Sequence, residues 1–335
     1  MRHRQRNSEK RAFTIVELLT VMGVIALLIG LLAPALNAVR RHAKDVKQRA
    51  QFNSIKAGLE MFRTDMGDYP ESGNKPLYNS VADVTTGAQH LAEALLGRDL
   101  RGFDPQSSWD AQVDVSNNKI YPNAAKGSVP TDVTDGDNRR KGPYLDVENV
   151  GVFNVDQLYT VNNVLTPNTY IYGRTDMVTP ANNQPSPFIT DVYTDKTVTL
   201  NYRVGGVDSS KNVRAGSPVL YFKANTTAKD LRRTTAPATD FSDRTYNYYD
   251  NAQVLELGKM SAWTAAGKPA VGTANAHPMA DPAGTQPYDK FYEAITNHQI
   301  PNDEGVAFRS DSYILMSAGK DGLFGTADDI YNFGD

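Results

Sequence analysis

Two groups of acids are placed where a carboxylate could do chemistry. Glu17 is the one charged residue in FTIVELLTVMGVIALLIGLLAPAL, residues 13 to 36. In lipid such an acid costs up to about 3 kcal/mol at the bilayer centre and less near an end, so a functional partner is the default inference. The plainer reading places Glu17 near the membrane edge, reaching the headgroups. The second group is Asp321, Asp328 and Asp329, set around Gly322 and Gly325 in SAGKDGLFGTADDIYNFGD, residues 317 to 335. Hard cations such as Ca²⁺ take about six to eight oxygens, mixing carboxylates with main-chain carbonyls. Glycines let a loop fold back so that carbonyls point inward. The spacing is not that of an EF-hand, and two ordinary Asp-rich turns would have the same composition.

No enzyme signature accompanies these acids. The histidines, His3, His42, His90, His277 and His298, are scattered, with no His-Glu-x-x-His. A Gly-x-Ser-x-Gly elbow, a phosphate-binding loop and a dinucleotide fingerprint are all missing, so a non-enzymatic role is expected. The net charge of −3 gives no strong field, and no nucleic-acid partner is expected. With no cysteine the chain cannot form disulfides, which leaves a metal ion as a candidate staple. Trp109 and Trp263, with many tyrosines, could line a sugar-binding surface but read better as core or loop anchors.

These residues must be positioned by a small set of elements. Residues 13 to 36 reach roughly 36 Å as a helix, enough for a hydrocarbon core of about 30 Å. The run is too long for the core of a signal peptide, and no A-x-A-like site follows it. It is read as a membrane-spanning helix that stays. Arg2, Arg4, Arg6, Lys10 and Arg11 precede it, and Arg40, Arg41, Lys44, Lys47 and Arg49 follow, so charge does not decide orientation. Val39, Ala43, Val46 and Ala50, then Ile55, Leu59, Phe62 and Met66, predict an amphipathic continuation over 37–66 that packs on the body. Gly67 and Pro70 end it, and Gly30 and Pro34 should loosen its membrane half. Residues 87 to 97 predict a short helix with Leu91, Leu95 and Leu96 on its apolar side. Strand alternation appears at 197–204, 217–224 and 312–318. Residues 104–142, the stretch PANNQPSPF near 180 and the segment 225–310 read as loops or insertions. An α+β body with an antiparallel sheet packed on the long helix fits best.

The stretch Lys10-Arg11-Ala12-Phe13-Thr14-Ile15-Val16-Glu17-Leu18-Leu19 resembles the cleavage and methylation motif of type IV pilins and type II secretion pseudopilins. There a basic leader ends in a small residue, usually Gly, and a prepilin peptidase cuts before Phe or Met. The resemblance implies a leader over 1–12, cleavage between Ala12 and Phe13, N-methylation of Phe13, and export of a body over 67–335. It implies a pilin-like fold, a single pass through the bacterial inner membrane with the body in the periplasm, and then a pseudopilus or surface filament. Implied partners are copies of the chain, other pseudopilins, the peptidase and an inner-membrane assembly platform. Glu17 would neutralise the terminal ammonium of a neighbouring subunit, and Pro34 falls where the family has a helix-kinking proline. Residues 317–335 resemble the calcium loop of the major pseudopilin. Carried over, Asp321 and Asp328 are side-chain ligands, Ser317 and Leu323 give main-chain oxygens, and Asp329 is a further candidate. The rival readings are a pilin-anchored adhesin or ligand-binding minor pilin, and a membrane-anchored enzyme.

Overall fold

The structure, a computed structural model, describes residues 14–73, 86–105, 107, 109, 139–159, 187–204, 207–228, 231, 244–264, 268–270, 272–280, 288–300 and 305–334. Ala12 and Phe13, most of 104–142 and residues 180–186 lie outside them. In chain order the elements are α1 (Ile15–Met66), α2 (Gly87–Leu96), β1 (Gly151–Asn154), α3 (Val155–Leu158), β2 (Pro187–Thr190), β3 (Lys196–Val204), β4 (Val207–Ala215), β5 (Leu220–Lys223), α4 (Ala252–Glu256), α5 (Asp289–Ile295), β6 (Tyr313–Ser317) and β7 (Ile330–Tyr331). Short 3₁₀ turns link several of them. The protein is α+β, with small antiparallel sheets. The chain divides into two units, residues 1–47 and 48–335, and the boundary falls inside α1.

In the first unit, Ile15–Leu32 is the one helical segment among the described residues long and apolar enough to cross a membrane. None of it is buried against protein, and Ile15, Leu27 and Leu31 expose well over half their surface. Water does not favour so large an apolar cylinder. The helix runs on through Gly30 and Pro34, so the expected loosening does not interrupt it.

In the second unit, α1 buries Gln48, Gln51, Phe52, Ile55, Leu59 and Phe62. This corrects the expectation that one apolar stripe packs on the body. Val39 and Val46 are exposed, as are Ala43 and Ala50. At about 100° per residue, that set is centred about 150° round the helix from Ile55, Leu59 and Phe62. The two runs therefore mark different faces. Where the buried face begins, two glutamines do what apolar residues do further on. Gln51 Nε2 donates to the Thr190 carbonyl at 2.8 Å, and the Val192 N–H donates to Gln48 Oε1 at 2.9 Å. These bonds satisfy main-chain groups at the last residue of β2 and two residues beyond it. The helix ends at Gly67, whose φ of +90° suits glycine and whose N–H returns to the Arg63 carbonyl at 2.8 Å.

A capping box, Thr86 with Gln89, starts α2. The helix is buried all round rather than on one side. Its polar residues are matched accordingly: Glu93 pairs with Arg98 at 3.0 Å, and His90 Nδ1 meets the Glu71 carbonyl at 2.7 Å.

Sheet β5–β6–β7 is the centre of this unit, with Leu220 opposite Met316 and Lys223 opposite Tyr313. Alternate residues enter separate cores. Tyr221, Tyr313 and Leu315 join Ile55, Leu59, Phe62 and the leucines of α2. Leu220, Phe222, Ile314 and Met316 join Tyr246, Leu255, Trp263, Met279 and Phe291. The segment 225–310 is thus no appended loop: through α4, α5 and short turns it covers the second face of the sheet. Both faces being buried explains why β5 and β6 read as nearly continuous apolar runs. Strands β1 and β2 form a separate pair, and β3 and β4 another. Pro187 and Phe188, expected in a loop, open β2. The strand β4, VDSSKNVRA, is mostly exposed and too polar to signal itself.

The two faces of α1 make a direct prediction. Leu59→Ala removes a fully buried side chain and should cost about 2–5 kcal/mol in urea unfolding. Val46→Ala should stay within about 0.5 kcal/mol. Equal losses would refute the assignment of faces.

Candidate functional site

The first turn of α1 carries a capping box absent from the sequence reading. Glu17 N–H donates to Thr14 Oγ1 at 3.3 Å, and Thr14 N–H donates to Glu17 Oε2 at 3.0 Å. The Thr14 hydroxyl also donates to Oε2, at 2.8 Å. The signal was available: Thr-x-x-Glu directly before an apolar run is a helix start. A carboxylate in a first turn also meets the positive end of the helix dipole. Pro34 lies inside α1, while Ala12 and Phe13 fall outside the described residues.

The acidic stretch is the connection between β6 and β7. Strand β7 is two residues long, so the connection must be held by more than the ladder. Asn332 extends the ladder with its side chain: the Leu315 N–H donates to Asn332 Oδ1 at 3.0 Å, and Asn332 Nδ2 donates to the Tyr313 carbonyl at 3.2 Å. At the other end, Ser317 Oγ donates to Asp191 Oδ2 at 2.8 Å. Asp191 Oδ1 accepts the N–H groups of Tyr193 and Ser217, each at 3.1 Å. Burial pushes the Asp191 carboxyl well above the usual carboxylate range, against the pull of these three donors. Nothing in the sequence singled out Asp191.

Within the connection, Asp328 Oδ2 accepts the N–H groups of Lys320 at 2.7 Å and Asp321 at 3.0 Å, and Thr326 Oγ1 donates to Asp328 Oδ1 at 2.6 Å. Asp321 Oδ1 accepts the Leu323 N–H at 2.8 Å. Asp321 and Asp328 are close enough to bias each other. Burial, and then the Asp328 charge, hold the Asp321 carboxyl above its ordinary value. Burial also acts on Asp328, but the Thr326 hydroxyl and the loop N–H donors bring it below its ordinary value. Gly319, at φ +65°, leaves no room for a Cβ against the Asp328 carbonyl.

Asp329 turns elsewhere. Its Oδ2 accepts from the Gly325 N–H at 2.7 Å and the Tyr331 hydroxyl at 3.2 Å. Its Oδ1 is buried with no partner among the described residues, and burial pushes the carboxyl up to about 7. The structure therefore brings Asp321 and Asp328 together and sets Asp329 apart. Among the described residues no three His, Asp or Glu side chains gather as a metal cluster. The Ser317 side chain is committed to Asp191, and the Leu323 carbonyl accepts from Thr326 Oγ1 at 3.2 Å. As a donor set for a cation the loop is all oxygen, the chemistry of Ca²⁺. The orphaned Asp329 oxygen is the group a cation would satisfy.

The connection docks on His277, a residue the sequence left among scattered histidines. Phe324 N–H donates to His277 Nδ1 at 3.1 Å, and Met279 N–H donates to the Phe324 carbonyl at 3.0 Å. The two rings meet edge to face at 5.0 Å. Accepting at Nδ1 requires a neutral ring. Burial lowers its pKa to about 3, a hydrogen bond to the Gly258 main chain opposes this in part, and the Lys259 charge adds to the lowering. Trp263 is an anchor as expected, with Nε1 donating to the Leu257 carbonyl at 2.9 Å.

Fold and site together define an α+β protein with an apolar amino-terminal helix long enough to span a membrane. No family model, no curated protein and no solved structure matches the chain.

Because the folded His277 pKa lies below the unfolded value of about 6.5, the unfolded chain binds more protons between the two. Stability from this residue is fully present above pH 6.5 and is lost as pH falls toward 3, at up to about 1.4 kcal/mol per pH unit. Urea unfolding at pH 7.5, 6 and 5 should show a shallower decline for His277→Gln, which keeps an acceptor for the Phe324 N–H. Parallel pH profiles would contradict the assignment.

Proposed function

We propose that the chain is a pilin-like filament subunit, most like the pseudopilins of type II secretion, anchored by α1 in the bacterial inner membrane with its body in the periplasm. One observation carries this reading. A fully exposed apolar helix over Ile15–Leu32 begins with an acid held in its first turn, four residues after Phe13. A long helix whose second half packs on antiparallel strands is also what a pilin-like fold requires. A prepilin peptidase cutting between Ala12 and Phe13 would create an α-ammonium next to Thr14. In an apolar filament core each lone charge is costly. The Glu17 carboxylate then neutralises the ammonium of a neighbouring copy, which fixes axial register more than it adds stability. The exposed apolar cylinder is covered first by lipid and then by other α1 helices. Other pseudopilins and an assembly platform in the inner membrane serve the same helix.

The β6–β7 connection fits Ca²⁺ as the staple a cysteine-free body lacks. Asp321 and Asp328 would hold it with carbonyls of Ser317 and Leu323, and Asp329 would contribute its unpartnered oxygen. Bound Ca²⁺ would supply the positive charge that lets three neighbouring carboxylates ionise together. Support comes from the oxygen-only donor set, the mutual bias of Asp321 and Asp328, and the shortness of β7.

Mass spectrometry of the mature protein should find an amino terminus at N-methylated Phe13, and Glu17→Ala should lower filament yield in cells. An intact Met1 in cells containing prepilin peptidase sinks the family reading. Saturating Ca²⁺ should raise the melting temperature by roughly 5 °C, and Asp321→Ala should abolish the rise. The same melting curve with Ca²⁺ and with chelator removes the metal.

A further inference from the structure

Just past the apolar run, α1 carries Arg40, Arg41, Lys44 and Lys47, all exposed. Spacings of four and three put Arg40, Lys44 and Lys47 on one face of the helix, with Arg41 beside it. No acid occurs between Glu17 and Asp45. Asp45 lies about 140° round the helix from Arg40 and about 160° from Lys47, but only about 40° from Arg41, so it can offset Arg41 and leaves the face of Arg40, Lys44 and Lys47 basic. Counted from Leu36, the four cations rise about 6 to 16 Å along the axis. The polar layer of a bilayer is about 5–8 Å deep on each side. Long Lys and Arg stems lean back along the helix, and surface attraction persists over about 8 Å at physiological salt. Arg40 and Arg41 therefore stand at headgroup height, and Lys44 and Lys47 stand above it within reach of its surface attraction, whichever leaflet they meet.

We propose that this face binds the headgroups of anionic phospholipid and holds the chain at a fixed depth in the membrane. Lipid is favoured over a second copy of the chain for an electrostatic reason. Copies embedded at the same depth bring mostly cation against cation, because at that height α1 sets one acid, Asp45, against Arg40, Arg41, Lys44, Lys47 and Arg49. An anionic headgroup offers a phosphate to each cation and exchanges freely when the helix moves. A subunit leaving the membrane must give up these contacts, so the patch sets a threshold for extraction. The proposal rests on Ile15–Leu32 being a membrane span and does not require filament assembly.

The full-length protein is reconstituted in vesicles of phosphatidylglycerol and phosphatidylcholine at 3:7, with either lipid spin-labelled, and the protein-restrained fraction of each is read by electron paramagnetic resonance. Phosphatidylglycerol should be preferred at least about fivefold, the factor for a single Lys or Arg contact, and the preference should shrink in 0.5 M NaCl. R40Q/R41Q/K44Q/K47Q should bring it close to one. No preference in the parent, or an unchanged preference in the variant, overturns the proposal. If inorganic phosphate erases the preference where chloride of equal ionic strength does not, the patch is a site for free phosphate. If the variant loses cross-linked dimers in pure phosphatidylcholine but keeps its lipid preference, the partner is a second copy. Alkaline carbonate extraction gives a separate control: release of the parent defeats the span itself, and with it the proposal, whereas retention without lipid preference defeats only the headgroup contact.

Discussion

The central constraint is the double burial of β5 and β6. A strand sends alternate side chains to opposite faces, so Tyr221, Tyr313 and Leu315 cannot share a core with Leu220, Phe222, Ile314 and Met316. Each set needs its own cover. One cover is α2 with the second half of α1, and the other is the chain from 244 onward, folded back as short helices. The order of elements follows: the segment between β5 and β6 has to leave the sheet, build a layer and return. Its loop-rich composition suits a layer assembled from turns around large aromatic residues. Tyr246, Tyr248, Tyr288, Phe291 and Tyr292 fill that layer. Their hydroxyls bond main-chain carbonyls where they are buried: Tyr292 to Tyr246, and Tyr248 to Met279. Tyrosine brings aromatic bulk and an oxygen to satisfy a turn, where phenylalanine would leave a carbonyl bare.

How much of this was legible follows from what periodicity can carry. The long helix, its end at Gly67, the short helix at Gly87–Leu96 and strands β3, β5 and β6 all announce themselves, because apolar spacing or a glycine stop is local. Strand β4 does not, because its polar residues face water along most of its length. The face of α1 that docks was half legible. Ile55, Leu59 and Phe62 are plain, but Gln48 and Gln51 are buried because they reach main-chain groups near Thr190 and Val192, distant in sequence. The second cover was illegible for the same reason. Its apolar residues are spaced by turns, and only the position of the sheet makes them a layer. At the acidic connection, composition indicated Asp321, Asp328 and Asp329, whereas their separation into a facing pair and an outlier depends on Tyr331 and Gly325.

Asp191 shows how the two ends of the body are tied without a disulfide. One carboxyl joins the exit of β2, the approach to β5 and the last residue of β6. A buried acid with three donors is costly to expose and costly to leave unpaired, so it specifies the meeting of three strands more than it stabilises any of them. The β6–β7 connection starts from that point and ends where Asn332 rejoins the sheet. Between these fixed ends, His277 and Met279 hold Phe324. A connection pinned at both ends and at its middle keeps its carboxylates at fixed separations, and a carboxylate held beside another at fixed separation gains from a cation more than a mobile one does.

Glu17 is where local and long-range demands meet. In the single chain its carboxylate closes the first turn of α1 with Thr14, a role that needs no partner and that explains the acid even at a membrane surface. In the proposed filament the same carboxylate answers an ammonium on another copy. The roles are compatible because a carboxylate has about four acceptor positions, and both Thr14 donors use the same oxygen. Capping also fixes where the carboxylate stands relative to the helix axis. A free glutamate would lose side-chain entropy on pairing, whereas a capped one has already lost most of it on folding. In the proposed filament Thr14 would therefore be a positioning residue, holding the acid ready for the ammonium of another copy.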